Sequence, residues 1–298
     1  MRPRLYSVAC ALMRAVSRLI STLGFAFAFL SAQDSPVLVN TGEPIRIPYA
    51  CAEDDLQWAG MSCSGDEPCP IYLELNAVVP GGKKIVVAGD LHSSSVTMGS
   101  VLLQSDDSGA TWREPTSRFR GSALDQLQFY NQQSGWAAGE TQYPLPRDPF
   151  FLLTTDGGSS WRQRLVGEEG FPGSIQRFWF DSPQHGELII DAGKTSESGR
   201  YLSYESETGG ESWSLLGKSG QLPKLRHAPP SGDDSDWRVR PSKDGKAFQI
   251  EQRNGDQWKS AASFLIEVAN CRVHSGELKE PEPPVDDPAP VPKPKPRK

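Results

Sequence analysis

Four octapeptides that end in Gly-x-x-Trp constrain the fold of this chain more than any other feature of its sequence. They are "SDDSGATW" (105–112), "TTDGGSSW" (154–161), "SETGGESW" (206–213) and "EQRNGDQW" (251–258). Their tryptophans lie 49, 52 and 45 residues apart along the 298-residue chain. A repeat of this period indicates one supersecondary unit per repeat, with each unit packed against its neighbours. The fourth copy is the most degraded, since it keeps only Gly255 and Trp258.

The segments between these octapeptides have the pattern of short β-strands. In the second unit, the strand-like runs are "LDQLQFYN" (124–131), "GWAAGE" (135–140), "FFLLTT" (150–155) and "SWRQRLV" (160–166). Alternation over four to eight residues, bounded by Gly, Pro, Asp and Ser, is typical of strands joined by tight turns. Four strands per repeat are typical of a propeller blade. The sequence therefore predicts an all-β propeller of four-stranded antiparallel blades.

The number of blades depends on the two flanks of the repeats. Four units occupy residues 73–260, and the flanks 44–63 and 260–273 are each too short for another blade. Strands from both flanks are predicted to form a fifth blade together, which would close the propeller and cover its exposed sheet edges. We expect five blades, with six or seven as alternatives.

The first 32 residues have the pattern of an export signal. Four arginines precede the apolar run "LISTLGFAFAFL" (19–30), and two small residues, Ser31 and Ala32, follow it. The run is too short to span a bilayer, so no transmembrane span is expected; an N-terminal anchor is the alternative. Either Met1 or Met13 fits as the start. We expect a signal at 1–32, a propeller domain at 33–277 and a periplasmic or extracellular protein.

The charge of the chain argues against nucleic acid as a partner. Without residues 1–32, the chain has 37 acidic and 27 basic side chains. A net negative surface repels phosphate backbones, and the sequence contains no basic stripe with interleaved aromatic residues. The partner is expected to be a protein or a glycan.

Four cysteines follow the signal, an even number that favours disulfides in an exported protein. Three pairings are possible, and we favour Cys63 with Cys69 and Cys51 with Cys271. The first pair closes a short loop, and the second joins the two ends of the repeat region. Zinc ligation would need Cys-x2-Cys spacing or nearby histidines, which the sequence lacks. We therefore expect no metal and no cofactor.

Residues 278–298, "LKEPEPPVDDPAPVPKPKPRK", form a proline-rich tail. Proline at this density favours an extended polyproline II conformation over a packed strand or helix. The tail is acidic first and then basic, ending in Lys293, Lys295, Arg297 and Lys298. It is predicted to be a solvated tail, with attachment of its basic end to an anionic envelope surface as the alternative.

The octapeptides resemble the Asp-box, or BNR repeat, of sialidases and many other β-propellers. Two copies match its pattern fully, and the third has Thr208 in place of the aspartate. The resemblance implies a structural turn in which the Asp side chain accepts backbone hydrogen bonds, Gly adopts a positive φ and Trp packs between blades. The implied turn residues are Ser105, Asp107, Gly109, Trp112, Thr154, Asp156, Gly158, Trp161, Ser206, Gly210 and Trp213.

If these turns join the third and fourth strands, the opposite face of the propeller carries the remaining loops. Ligands of propellers typically bind on such a loop face. The candidate binding residues there are His92, Arg118, Arg120, Tyr143 and Arg147. Asp90 and His92 are also a candidate proton-transfer pair, with ordinary turn residues as the alternative interpretation.

One functional hypothesis is catalytic. "IRIP" (45–48) resembles the Arg-Ile-Pro motif of sialidase catalytic domains. The resemblance implies that Arg46 grips a substrate carboxylate, that Asp90 is the acid/base and that Tyr201 or Tyr204 is the nucleophile. Further clamp arginines would come from Arg226, Arg238 and Arg240.

The favoured hypothesis is non-catalytic. "SGWAAGE…LLTTDGGSSW" (134–161) resembles repeats of the photosystem II stability/assembly factor family. This family implies a scaffold that docks other proteins. The cysteines and the proline tail depart from its photosynthetic members, so a photosystem partner is not expected. We therefore expect an exported binding or assembly scaffold, with a sialidase-like glycoside hydrolase or a glycan-binding lectin as alternatives.

Overall fold

The structure is a computed structural model that describes residues 36–142, 145–193, 199–228 and 235–272. The predicted signal, the proline-rich tail and Tyr143 lie outside these ranges. The described residues form one short helix, α1 (Glu53–Trp58), and strands β1 (Leu38–Val39), β2 (Cys69–Gly81), β3 (Lys84–His92), β4 (Thr97–Ser105), β5 (Thr111–Trp112), β6 (Ser122–Phe129), β7 (Gly135–Thr141), β8 (Arg147–Thr154), β9 (Arg162–Leu165), β10 (Ser174–Phe180), β11 (Gly186–Asp191), β12 (Tyr201–Ser206), β13 (Ser214–Ser219), β14 (Trp237–Pro241), β15 (Ala247–Asn254), β16 (Gln257–Leu265) and β17 (Glu267–Cys271). Within the described ranges, no helix is long and apolar enough to cross a membrane.

The strands form antiparallel sheets in which successive strands of the chain are neighbours. Strands β6–β9 make one four-stranded sheet and β10–β13 make another. A third contains β2–β4, with β17 added beside β2, and β14–β16 form a three-stranded sheet. These sheets confirm the predicted all-β architecture of four-stranded antiparallel blades. We refer to the sheets of β2–β4, β6–β9 and β10–β13 as blades 1, 2 and 3.

The two flanks meet, but not in the way that the sequence suggested. Ile45 pairs in parallel with Phe264 of β16, and its amide donates to the carbonyl oxygen of Ser263 at 2.8 Å. At the other end, β17 pairs with the start of β2, where Cys271 lies opposite Cys69. The flanking strands therefore extend the existing sheets, and within the described residues they do not build a separate fifth one. The total number of blades stays a prediction.

Both predicted disulfides are present. Cys51 is bonded to Cys271 and Cys63 to Cys69, with Cα–Cα distances of 5.4 and 5.3 Å. The first links residues separated by 220 positions and so joins the N-terminal flank to β17. Loop-closure entropy assigns a crosslink of this length about 5 kcal/mol of stabilisation.

Three buried apolar layers hold the sheets side by side. The layer between β14–β16 and blade 1 includes Ile250, Phe264 and Leu103. The central strand β7 contributes to the other two layers: Ala137 packs towards blade 1, whereas Trp136 and Ala138 pack towards blade 3. Because β7 is covered on both faces, its sequence is almost continuously small or apolar instead of alternating.

The first three octapeptides form turns that join β4 to β5, β8 to β9 and β12 to β13. In the first turn, the Asp107 carboxylate accepts hydrogen bonds from the Thr111 amide at 2.8 Å and the Thr111 hydroxyl at 2.6 Å. Asp156 accepts the same two bonds from Ser160, at 2.9 and 2.6 Å. These hydrogen bonds lower the pKa of both carboxyls to about 2. Gly109 and Gly158 have φ values of 91° and 86°, which favour glycine.

The third and fourth copies differ from these two turns. In the third, the Thr208 hydroxyl replaces the carboxylate and accepts the Ser212 amide at 2.9 Å. The fourth copy is instead the tight hairpin between β15 and β16, in which Asn254 lies opposite Gln257. Its alignment with the other three was therefore wrong. Gly255 and Asp256 are the two loop residues, and glycine at the first loop position favours such a hairpin turn, which explains the different structure.

Candidate functional site

A β-bulge recurs in the first strand of each blade. The register shifts between Leu75 and Ala77 in β2, between Leu124 and Gln126 in β6, and between Ile175 and Arg177 in β10. Each shift leaves one extra residue, and these residues are Asn76, Asp125 and Gln176. Bulges change the direction of a side chain and are frequent next to functional sites.

An acidic residue lies beside each bulge on the second strand. Asp90, Glu140 and Asp191 occupy this position in β3, β7 and β11, where their register partners are Glu74, Ala123 and Ser174. In blades 1 and 2, glycine precedes the acid. A Cβ on Gly89 would lie 2.0 Å from the carbonyl oxygen of Glu74, and one on Gly139 would lie 1.9 Å from that of Ala123. The glycines in "AGD" and "AGE" therefore leave no room for a side chain, whereas Ile190 holds the equivalent position in blade 3.

The bulges and acids of blades 1 and 2 surround a polar cavity of about 370 Å³, which we call the acidic depression. Its lining includes Glu74, Asn76, Asp90, His92, Asp125 and Gln142. The Asn76 amide connects the two blades, because it donates to Asp125 Oδ1 at 3.2 Å and to Asp90 Oδ2 at 3.4 Å. Gln142 donates to Glu140 Oε1 at 2.8 Å. The Glu140 carboxyl therefore lies directly behind the Gln142 side chain that lines the cavity.

Burial makes the ionised form of these carboxyls unfavourable. Asp90 is 6% exposed and Glu140 is 4% exposed. Burial raises the pKa of Asp90 to about 7, opposed by His92 and reinforced by the charges of Glu74 and Asp125. Burial and the charge of Asp125 raise the pKa of Glu140 to about 8. The pKa of Asp125 is also raised, first by burial and then by Glu74.

The third blade shows how such a carboxylate is normally compensated. Arg200 pairs with the Asp191 carboxylate at 2.8 Å. In the part of the chain that the structure describes, no lysine or arginine nitrogen lies within 4 Å of the carboxylates of Asp90, Asp125 or Glu140. Within the described ranges, Asp90, Asp125 and Glu140 in blades 1 and 2 therefore have no cationic partner of the kind that Arg200 provides for Asp191.

His92 lies at the rim of the acidic depression. Its Nδ1 is 2.9 Å from the Ser93 carbonyl oxygen, and its Nε2 is 3.9 Å from Glu74 Oε2. The ligand atoms of Glu74, Asp90 and His92 lie within 4.8 Å of one another. The two residues that the sequence paired, Asp90 and His92, thus line the same cavity.

The predicted binding-face arginines contact other parts of the chain. Arg118 donates to both carboxylate oxygens of Glu114, at 2.6 and 2.8 Å, and lies over the Tyr49 ring. Arg120 pairs with Asp55 of helix α1 at 2.5 Å. Arg147 lies 3.5 Å from the carboxylate of its neighbour Asp148. The N-terminal flank therefore contacts the loop face at Arg118 and Arg120.

The residues of the sialidase hypothesis also have local partners. Arg46 donates to the backbone carbonyls of Glu267 and Val268, at 3.0 and 2.9 Å. Arg226 pairs with Glu187 in blade 3, and Arg238 and Arg240 pair with Glu251 in the β14–β16 sheet. Tyr201 belongs to β12, where Arg200 lies 4.8 Å from its ring. An arginine clamp on a substrate stays a hypothesis from the sequence.

Comparison with protein-family models finds no match for the chain, and comparison with curated proteins finds none either. Among solved structures, the chain is similar to YCF48 from Cyanidioschyzon merolae, at 17% identity and a TM-score of 0.32, over 62% of this chain and 55% of that one. It is similar to YCF48 bound to D1 peptide, at 21% identity and a TM-score of 0.35, over 66% and 58%. It is also similar to the phage phi92 endosialidase, at 14% identity and a TM-score of 0.28, over 64% and 36%.

The chain thus spans little more than half the length of the YCF48 chains that it matches. The arrangement of its own strands defines the class: successive four-stranded antiparallel sheets, packed side by side, make this an all-β protein of the β-propeller fold.

Most residues of the acidic depression were not predicted from the sequence. Asp90 and His92 were predicted, but Glu74, Asn76, Asp125 and Glu140 were not. One signal was present: aligning the second strands places "AGD" (88–90) on "AGE" (138–140), so that two acids follow glycine at equivalent positions. The burial of these acids could not be read from that alignment.

Proposed function

We propose that this protein is an exported, non-catalytic propeller that binds a partner protein by receiving one of its cationic groups in the acidic depression. The cationic group is a lysine or arginine side chain, or an amino terminus. The observation that carries the proposal is the set of carboxyls of Asp90 and Glu140, which are buried, and of Asp125, which is half-buried; none has a lysine or arginine partner within 4 Å among the described residues.

The ionised form of these acids is the form that would bind a cation. A buried carboxylate without a partner is unfavourable, and an ammonium or guanidinium group that enters the depression would stabilise it. The cavity of about 370 Å³ can accommodate a long basic side chain. Asn76 holds Asp90 and Asp125 on opposite sides of the blade interface, so the carboxyls are already oriented towards the ligand.

Binding of a cation by these groups should increase with pH. Asp90 and Glu140, with pKa values of about 7 and 8, become ionised across the neutral range, whereas exposed carboxyls are already charged at pH 6. The affinity for a cation therefore rises between pH 6 and pH 8.5. An ordinary acidic surface would show no such change.

The test uses fluorescent peptides with a blocked amino terminus that carry a single lysine, and matched peptides in which that lysine is acetylated. Affinities are measured by anisotropy at pH 6, 7 and 8.5 in low salt. We expect the lysine peptide to bind more tightly as the pH rises, and Asp125→Asn to reduce its affinity about tenfold. Asp244→Asn, in an exposed turn, is the matched control. Equal affinity for the acetylated peptide, or no effect of Asp125→Asn, would count against the proposal.

A second function, glycoside hydrolysis, is favoured by one observation. A carboxyl that remains protonated near neutral pH, beside a second carboxyl, is the pattern of a general acid with its base. Asp90 has a raised pKa and lies opposite Glu74 on the neighbouring strand. The test is hydrolysis of fluorogenic glycosides, sialosides included, between pH 4 and pH 8. Turnover that Asp90→Asn removes would establish an enzyme, and turnover that Arg46→Ala removes would identify a sialidase-like site. Binding of unhydrolysed glycans would identify a lectin.

We also propose that residues 1–32 direct export and that the basic end of the tail attaches the protein to an anionic surface. The basis is the sequence pattern, since both segments lie outside the described residues. Sedimentation with vesicles of phosphatidylcholine, with or without phosphatidylglycerol, tests the attachment. We expect binding only to the anionic vesicles, and its loss when residues 293–298 are deleted.

A further inference from the structure

A second group of titratable side chains lies on blade 3, away from the acidic depression. It consists of Asp181, His185, Glu187, Glu205 and His227, which we call the histidine cluster. Asp181 and His185 belong to the loop between β10 and β11, Glu187 and Glu205 lie on β11 and β12, and His227 follows β13. The imidazole rings of His185 and His227 are 5.2 Å apart and nearly perpendicular.

Three side chains of the histidine cluster converge on one point. His185 Nδ1 lies 2.7 Å from Asp181 Oδ1, and His227 Nδ1 lies 3.7 Å from Asp181 Oδ2 and 3.2 Å from Glu187 Oε1. One ligand atom from each of these residues falls within 4.8 Å of the other two. Ligand atoms around a tetrahedral ion with bonds of about 2.1 Å are about 3.4 Å apart, so the observed distances lie on either side of this value.

The opposite nitrogen of His185 has the partner that a metal ligand normally has. His185 Nε2 lies 3.2 Å from Glu205 Oε1. Metal-bound histidines typically donate their second N–H to a carboxylate, which fixes the tautomer and orients the ring. With Glu205 accepting that hydrogen bond, binding of an ion at Nδ1 would release the proton that Nδ1 now shares with Asp181.

The charges of the histidine cluster leave room for a divalent cation. Arg226 compensates the buried Glu187 at 2.9 Å and contacts Glu205 at 3.3 Å. In the described part of the chain, the charged groups within 4 Å of the Asp181 carboxylate are the two imidazoles. With neutral imidazoles, the cluster has three carboxylates against one guanidinium, a net of about −2 that one divalent ion would balance.

We propose that Asp181, His185 and His227 bind a divalent transition-metal ion, with zinc the best fit. Two imidazoles and a carboxylate favour zinc over calcium or magnesium, which prefer oxygen ligands only. Glu205 is the positioning residue for His185. The ion would attach the segment that contains Arg226 and His227 to blade 3. The two histidines are far apart in the sequence, so a search for local zinc motifs could not find the site.

The test measures zinc binding by protein without a polyhistidine tag. After chelator treatment, the protein is dialysed against Zn²⁺, and the bound metal is quantified by mass spectrometry. We expect one tightly bound Zn²⁺ per chain, and an increase in Tm on binding. Asp181→Asn and His227→Ala should each weaken binding at least tenfold, and Glu205→Gln should weaken it about 10- to 100-fold. Gln184→Ala, an exposed position in the same loop, is the matched control and should keep the wild-type affinity.

Two further measurements keep the outcome decisive. Circular dichroism without metal shows whether each variant folds like the wild type, and the visible absorption of Co²⁺-loaded protein reports whether histidine nitrogens bind the ion. The absence of stoichiometric zinc in the wild type would overturn the proposal. Retention of zinc by a folded His227→Ala variant would overturn it too. So would loss of zinc in His92→Ala when the variants of the histidine cluster retain it.

Discussion

Asp90 and Glu140 occupy the same position in consecutive blades: each lies beside a bulge of the preceding strand, follows a glycine and is almost fully buried. Asn76 and Gln142 bind their carboxyls from the side of the acidic depression. Repetition of the blade has thus placed two acids on either side of one interface, where burial and, to a smaller extent, the charge of Asp125 raise the pKa of both.

This arrangement predicts that the protein becomes less stable as the pH rises from 4 to 8. The folded-state pKa values of Asp90 and Glu140, about 7 and 8, exceed the ordinary values of 3.8 and 4.5. The unfolded chain therefore loses these protons first, and the free energy of unfolding falls until the pH passes the folded-state values. Each pKa unit corresponds to about 1.4 kcal/mol, so the two groups together account for several kcal/mol.

Urea unfolding at pH 5 and pH 8.5 measures this effect. The double variant Asp90→Asn with Glu140→Gln should lose most of the decrease, whereas Asp244→Asn should retain it. If the wild type and the double variant depend equally on pH, the two carboxyls do not have raised pKa values.

Replacement of Gly139 by alanine should destabilise the fold by several kcal/mol. Its Cβ would lie 1.9 Å from the Ala123 carbonyl oxygen, so the bulge of β6 must move. Gly217→Ala is the matched control, because a Cβ there has no atom within 4 Å. Thermal unfolding of both variants tests the prediction, and similar Tm values would show that the bulge is not tightly constrained.

Restoring the carboxylate of the third octapeptide turn should stabilise the protein. Thr208→Asp would accept hydrogen bonds from both the amide and the hydroxyl of Ser212, as Asp156 does from Ser160. We expect a gain of about 1 kcal/mol in the free energy of unfolding, typical of an added turn or cap interaction. Thr208→Val, which removes the existing acceptor, should lose about 1 kcal/mol. Denaturant unfolding distinguishes them, and a Thr208→Asp variant less stable than wild type would contradict the prediction.

The two disulfides should differ in their contributions. Replacing Cys51 and Cys271 by serine releases a crosslink across 220 residues, whereas replacing Cys63 and Cys69 releases one across six. Loop-closure entropy predicts losses of about 5 and about 2 kcal/mol. Guanidinium unfolding of the two double variants measures the difference. A larger loss for the short loop would show that local packing, and not chain entropy, sets the contributions.

The strands and turns of the blades were predictable from the sequence because they depend on neighbouring residues. Alternation marks strands such as β6, and the hydrogen bonds of Asp107 reach no further than Thr111, four residues away. The same local signal misled at 251–258, where Gly255 and Trp258 fit the repeat but Gly255 and Asp256 form a hairpin turn. The disulfides were predictable for another reason: Cys63 and Cys69 close a short loop, and Cys51 and Cys271 lie at the two ends of the repeat region.

The chemistry of the protein was decided by the tertiary structure. Asn76 and Asp125 are 49 residues apart, and they meet only because two blades pack together. The pKa values of Asp90 and Glu140 depend on burial by that packing, and His185 meets His227 only because the segment after β13 packs back against blade 3. The sequence by itself determined the repeating all-β unit, since local hydrogen bonds and alternation suffice for it. The acidic depression and the histidine cluster required the fold, because burial and long-range proximity are properties of packed blades and not of a pattern along the chain.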